Sequence, residues 1–251
     1  MVQISKANLL RFYDQINRSS RAKEIQGPSP GSHVSAITGM IGEDLVLGLF
    51  QHYWAKKFKS GNCEILGYQC RVSEGTKRSK KLDAWLLCKK KKDGRRALYQ
   101  TEVKNWSAYS RGTKNQIRPG AGVNEQSREQ WQKITGDDRN QDALKKVKFT
   151  PRMDDLENTT DASGQRVNDL YPKPLLCLWL PVATDKSNGE CFFKTNTPNY
   201  LNDVWVFSAS LCLRGLPDDE PICISVPRVE HRLQLLNEIM PGFPIASNRS
   251  T

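Results

Sequence analysis

Glu102 and Lys104 stand two residues apart in the run Tyr99-Gln100-Thr101-Glu102-Val103-Lys104. The run reads as a β-strand, so the two side chains project from one side, about 7 Å apart along the chain. A carboxylate beside an ammonium on one strand is most often a solvated ion pair. The preceding segment changes the weighting. Lys81-Leu82-Asp83-Ala84-Trp85-Leu86-Leu87-Cys88 is apolar enough to be buried, yet it carries Asp83. The link from Lys89 to Arg96 contains Asp93-Gly94, a hairpin turn signal. Closing that hairpin brings Asp83 towards Glu102. Two carboxylates and a lysine then converge, a set suited to a divalent cation, a water and a phosphodiester.

The elements that must position these groups are legible from period and punctuation. Ser35 to Lys57 reads as a helix, with Ile37, Met40, Ile41, Leu45, Val46, Leu49, Phe50, Tyr53 and Trp54 at helical spacing. Glu43 and Asp44 fall on it, and two roles suit Glu43. It offsets the helix dipole near an N-terminus, worth a few tenths to about 1 kcal/mol, or it faces the same cation. Cys63 to Val72, Leu82 to Lys90 and Ala97 to Trp106 read as three consecutive strands. A helical stretch follows between Asn124 and Val147, then a strand over Leu175 to Val182. The apolar run Val204 to Leu213 reads as a further strand, and Arg228 to Met240 as a C-terminal helix.

Asp83, eighteen intervening residues and Glu102-Val103-Lys104, carried on the order α-β-β-β-α-β, resemble the PD-(D/E)XK nuclease superfamily. That group includes type II restriction enzymes, Holliday-junction resolvases and phage exonucleases. Leu82 stands where the motif has its proline. The resemblance covers roughly residues 35 to 182. It implies an α/β fold with a restriction-endonuclease-like core, a mixed sheet flanked by helices, plus an N-terminal helical extension. It implies metal-dependent hydrolysis of DNA, by an endonuclease of a restriction or other anti-phage system. The alternatives are a structure-specific repair or recombination nuclease, and a non-catalytic nucleic-acid-binding domain on the same fold. The implied cofactor is Mg²⁺, with Mn²⁺ as a substitute. Asp83, Glu102, the Val103 carbonyl and Glu43 are its expected ligands, and Lys104 the residue that orients or deprotonates the attacking water. Gln100, on the Glu102 face by period two, and Gln126 are expected at the edge of the site. Recombination-type members carry Gln-x-x-x-Tyr on this helix; here Gln126 is followed by Gln130.

Charge and composition agree with a polyanionic partner. Lys and Arg outnumber Asp and Glu by 38 to 27, giving +11, and neutralised phosphates release counterions. Lys77, Arg78, Lys80 and Lys81 enter the second strand, and Arg111 and Lys114 follow the third, so both segments are expected along a nucleic-acid backbone. Lys89 to Lys92 form the hairpin tip and read first as an edge-protecting turn. DNA is the expected partner, with a second copy, a helicase or a methyltransferase as protein partners. The seven cysteines form no CxxC pair, which excludes a zinc ribbon and points to reduced core thiols of a cytoplasmic protein. No stretch has the length and apolarity of a membrane span. The expected organisation is an amphipathic helix over 1–26 and one nuclease domain over 35–240. That domain has loops at 107–123 and 150–170, and a flexible tail follows over 241–251.

Overall fold

The computed structural model describes residues 2–26, 31–59, 61–72, 80–106, 123–136, 156–161, 163–197, 200–229 and 231–232. A strand, β1 (Val2–Ser5), leads into α1 (Lys6–Gln26) and α2 (Gly31–Lys57). An antiparallel meander follows: β2 (Asn62–Val72), β3 (Lys80–Lys89) and β4 (Arg96–Lys104). Helix α3 (Val123–Gly136) then precedes β5 (Lys173–Leu178). The chain continues through β6 (Phe192–Thr197), β7 (Tyr200–Ser208), helix α4 (Ala209–Gly215) and β8 (Pro221–Ile224). The protein is mixed α/β. Its main sheet is six-stranded, in the order β2-β3-β4-β5-β7-β6. β4, β5 and β7 run parallel, and the other neighbours are antiparallel.

Helices cover both faces of the sheet. Leu45, Val46, Leu49, Phe50 and Trp54 of α2 pack against Ala84, Leu86, Tyr99, Cys177 and Phe207. The Phe50 ring lies 5.0 Å from Phe207 and 5.4 Å from Phe192, centroid to centroid. Leu9 and Ile16 of α1 join this cluster. On the opposite face Trp131 and Ile134 of α3 pack with Leu176 and Leu178 of β5 and Val204 and Val206 of β7. Burial on both faces explains why β5 reads as a continuous apolar run rather than an alternating one.

The first and last described strands also meet. β1 pairs antiparallel with β8, from Val2↔Ile224 to Ser5↔Pro221. The buried Lys6 ammonium donates to the Leu216 carbonyl at 2.6 Å and to Asp218 at 2.8 Å.

Several sequence expectations need adjustment. Val204 to Leu213 is not one strand. β7 ends at Ser208, whose Oγ accepts from the Leu211 N–H and caps α4. The helix expected from Ser35 already runs from Gly31. The helix expected to reach Val147 is described to Gly136, and residues 137–147 lie outside the described residues. The C-terminal helix is seen at 227–229 and 231–232, with 233–240 outside them. No described helix is long and apolar enough to cross a membrane.

Candidate functional site

The β3–β4 ladder fixes where Asp83 and Glu102 meet. It runs from Lys89↔Arg96 to Ala84↔Thr101 and stops one pair short of Asp83 and Glu102. β3 continues beside β2 to Val72↔Lys80, and β4 continues beside β5 to Lys104↔Leu178. The two central strands therefore part at these carboxylates. A buried N–H left without a ladder partner needs another acceptor. Asp83 supplies it: Oδ2 accepts from the Val103 N–H at 2.6 Å.

Successive carbonyls of a strand point to opposite edges. The Lys104 carbonyl accepts from the Trp179 N–H at 3.5 Å, on the β5 side. The Val103 carbonyl is thereby directed to the other edge, where Asp83 lies. Glu102 is fully buried, and Lys104 is 30% exposed; Lys104 Nζ donates to Glu102 Oε1 at 2.5 Å. Burying a carboxylate without a compensating charge is expensive, and the Lys104 ammonium is one such charge beside Glu102.

β4 and β5 are in parallel register, with Glu102 beside Leu176 and Lys104 beside Leu178. These are the leucines α3 covers, so α3 roofs the face that carries Glu102. Its inward side presents Ser127, Gln130, Trp131 and Ile134, all buried. Of the glutamines the sequence singled out, Gln100 is buried on β4 and Gln126 is half-buried on α3. Gln130, one turn beyond Gln126, is the more deeply enclosed.

Glu43 arrives from the other side of the sheet. The dipole reading fails for it, because α2 starts at Gly31 and Glu43 lies more than three turns in, beyond the reach of the helix N-terminus. Its position follows from a close contact. Asn105, just past β4, donates from Nδ2 to the Gly39 carbonyl at 2.8 Å. A Cβ on Gly42 would lie 2.6 Å from Asn105 Oδ1. Trp179 Nε1 donates to the Gly42 carbonyl at 3.1 Å. This stretch of α2 is thus pinned against the ends of β4 and β5, with Glu43 next in sequence. Burial raises the Glu43 carboxyl above its ordinary range; Asp44 and Glu102 push it further up, while Lys104 and Arg232 pull it down. Glu43 therefore shares an electrostatic neighbourhood with the Glu102–Lys104 pair.

Asp44 has a different role. It is almost wholly buried and accepts from Arg232 Nη1 at 2.5 Å, tying α2 to the C-terminal turn. Sequence reasoning missed Arg232 and Asn105, and named Gln130 only as the residue in place of a Tyr. The glycines at 39 and 42, three apart in an apolar helix, were the available signal for a close approach.

The oxygens of Asp83, Glu102 and the Val103 carbonyl form a hard donor set. Mg²⁺ uses one or two carboxylates and keeps several waters, so these groups fit it without a third side chain. Among the described residues no three His, Cys, Asp or Glu side chains gather closely enough to share an ion. Lys77, Arg78, Arg111 and Lys114 lie outside the described residues, as do the loop residues 107–122. Lys80 opens β3, and Lys81 is exposed with Nζ donating to Gln69 Oε1 at 3.3 Å. Comparison of the chain with protein-family models, with curated proteins and with solved structures finds no match.

Proposed function

We propose that the protein is a metal-dependent nuclease that hydrolyses DNA phosphodiester bonds on a restriction-endonuclease-like core. One observation carries the reading. Where β3 and β4 part, Asp83 lies on the Val103 N–H at 2.6 Å and Lys104 on Glu102 at 2.5 Å. A carboxylate pair, a strand carbonyl and an ammonium thus gather where the C-terminal end of β4 lies beside the start of the antiparallel β3, within the succession α2-β2-β3-β4-α3-β5. The excess of 38 Lys and Arg over 27 Asp and Glu supports a polyanionic substrate.

Asp83, Glu102 and the Val103 carbonyl would hold the cation, with Glu43 adjusting the local charge. Bound there, a hard divalent cation supplies charge neutralisation of the phosphate oxygens and acidifies water. Lys104 donates hydrogen bonds towards the attacking water and fixes its line of approach. Glu102 keeps Lys104 beside the site and contributes to the negative field that attracts the cation. α3 and its buried Ser127 and Gln130 roof this face of the sheet and limit bulk water beside Glu102.

The test is cleavage of supercoiled and linear plasmid DNA in Mg²⁺, Mn²⁺ and EDTA. Wild type is expected to cut in either metal and not in EDTA. Cutting of the closed circle identifies an endonuclease. The variants D83N, E102Q and K104M should be folded and inactive. Wild-type turnover by any two of them sinks the reading.

A further inference from the structure

We infer that Lys104 and the divalent cation compete for Glu102, so that cation binding releases Lys104 into the site. The inference rests on the nuclease reading above. Glu102 is buried in the sheet, and its Oε1 takes a 2.5 Å hydrogen bond from Lys104. Lys104 lies at the last position of β4, 30% exposed, so its ammonium can turn outward without unfolding the strand. Asp83 is committed differently, accepting from a main-chain N–H that does not move when a side chain rotates. The cation-accepting carboxylates are therefore unequal. Asp83 is anchored by the backbone, and Glu102 is guarded by a mobile charge.

The electrostatic argument gives the direction. A buried carboxylate needs a compensating charge in every state of the protein. The Lys104 ammonium is such a charge. A dication beside Asp83 and Glu102 supplies it instead and repels the ammonium, which lies within hydrogen-bonding distance of the same oxygen. Lys104 then has three donors available for water or phosphate. Cation binding and the availability of Lys104 become one event, and a site without its cation keeps Lys104 occupied.

Two measurements on the full chain test this in Ca²⁺, used to suppress turnover. The first is titration calorimetry of wild type and K104M, with folding checked by circular dichroism. K104M should bind Ca²⁺ about tenfold more tightly, the order of one charge-assisted hydrogen bond. The second is the rate at which Lys104 is acetylated, read by mass spectrometry with and without Ca²⁺. The rate should rise severalfold on Ca²⁺ addition in wild type. It should be high in both conditions in E102Q, which needs no folded K104M. Equal Ca²⁺ affinity of K104M and wild type, or a Lys104 rate that Ca²⁺ leaves unchanged, overturns the competition even if wild type cuts DNA. Failure of wild type both to bind Ca²⁺ and to cut in Mg²⁺ removes the nuclease reading and the competition with it.

Discussion

At the scale of single residues, Glu43 separates a site role from a structural one. Its carboxyl is raised above the ordinary value of 4.5, with burial the largest cause and Asp44 next. An acid with a raised pKa binds its proton more tightly in the folded state. Stability then falls as pH rises from the ordinary value to the raised one, and the full penalty persists above both. Removing the charge should relieve that penalty. E43Q is expected to melt slightly higher than wild type at pH 7 and equally at pH 4, in parallel thermal scans. It should also lose most cleavage activity if the carboxylate serves the site. More stable and less active is the pattern of a functional residue held at a cost to the fold. A lower Tm at pH 7 would make Glu43 a structural anion instead. Asp161 shows the opposite sign. Its carboxylate is held below the ordinary range, chiefly by the Ser163 hydroxyl, and it also pairs with Arg96 at 3.1 Å. Stability from Asp161 is present above its ordinary value of 3.8 and is lost as pH falls through the lowered one. D161N should therefore lower Tm at pH 7 and converge with wild type in acid.

At the scale of elements, three glycines of α2 make opposed predictions. Alanine is favoured over glycine in a helix interior by about 1 kcal/mol. Among the described residues a Cβ on Gly39 meets nothing within 4 Å, so G39A should stabilise by up to about 1 kcal/mol in urea unfolding. A Cβ on Gly48 would lie 2.3 Å from the Ile224 Cγ2 of β8. Overpacking of that kind costs about 1–3 kcal/mol and outweighs the propensity gain, so G48A should destabilise. Trimming Ile224 to alanine in the G48A background should return part of the loss. At Gly42 the crowding group is Asn105, whose Nδ2 is held by the Gly39 carbonyl, so G42A should disturb the placement of Glu43 as well as the helix. These contacts were not legible in the sequence, because spacing shows that a helix has small residues but not what approaches them. The meander was legible: alternation in Tyr99 to Lys104 and the Asp93-Gly94 turn, where Gly94 has φ +65°, place the hairpin without ambiguity. The misreading at Val204 to Leu213 has a plain cause. A buried helix following a buried strand makes one unbroken apolar run, and period cannot divide it. Only the Ser208 cap marks the change. β1 and β8 are four residues each and pair across more than 200 residues of sequence, too short for a pattern and too distant for a turn signal.

At the scale of the whole molecule, the excess of basic residues is a statement about partners rather than fold. What matters is where the charges lie relative to Asp83. The hairpin tip carries Lys89 to Lys92, but Lys89 Nζ donates to Ser163 and Lys90 lies 4.6 Å over the Phe58 ring. Those two lysines have local partners. Lys89 follows Asp83 by six positions along the strand, about 20 Å of extended chain, so the tip is remote from the candidate site. Arg111 and Lys114 follow Lys104 within ten residues of chain and cannot begin far from it. Each phosphate contact that a cation makes contributes about 0.9 to the slope of log K against log salt. Neutralising Arg111 and Lys114 together should flatten that slope by up to about 2 and weaken all DNA sequences alike. Neutralising Lys91 and Lys92, the exposed pair of the tip, should leave it within error. Fluorescence anisotropy of a labelled duplex across a salt series, in Ca²⁺, reads both variants. A base-reading role for Arg111 would instead relax preference at particular positions while the slope held. Loss of slope in the tip variant alone would move the DNA track to the other end of the hairpin, where Asp83, Glu102 and Lys104 could not reach the scissile phosphate.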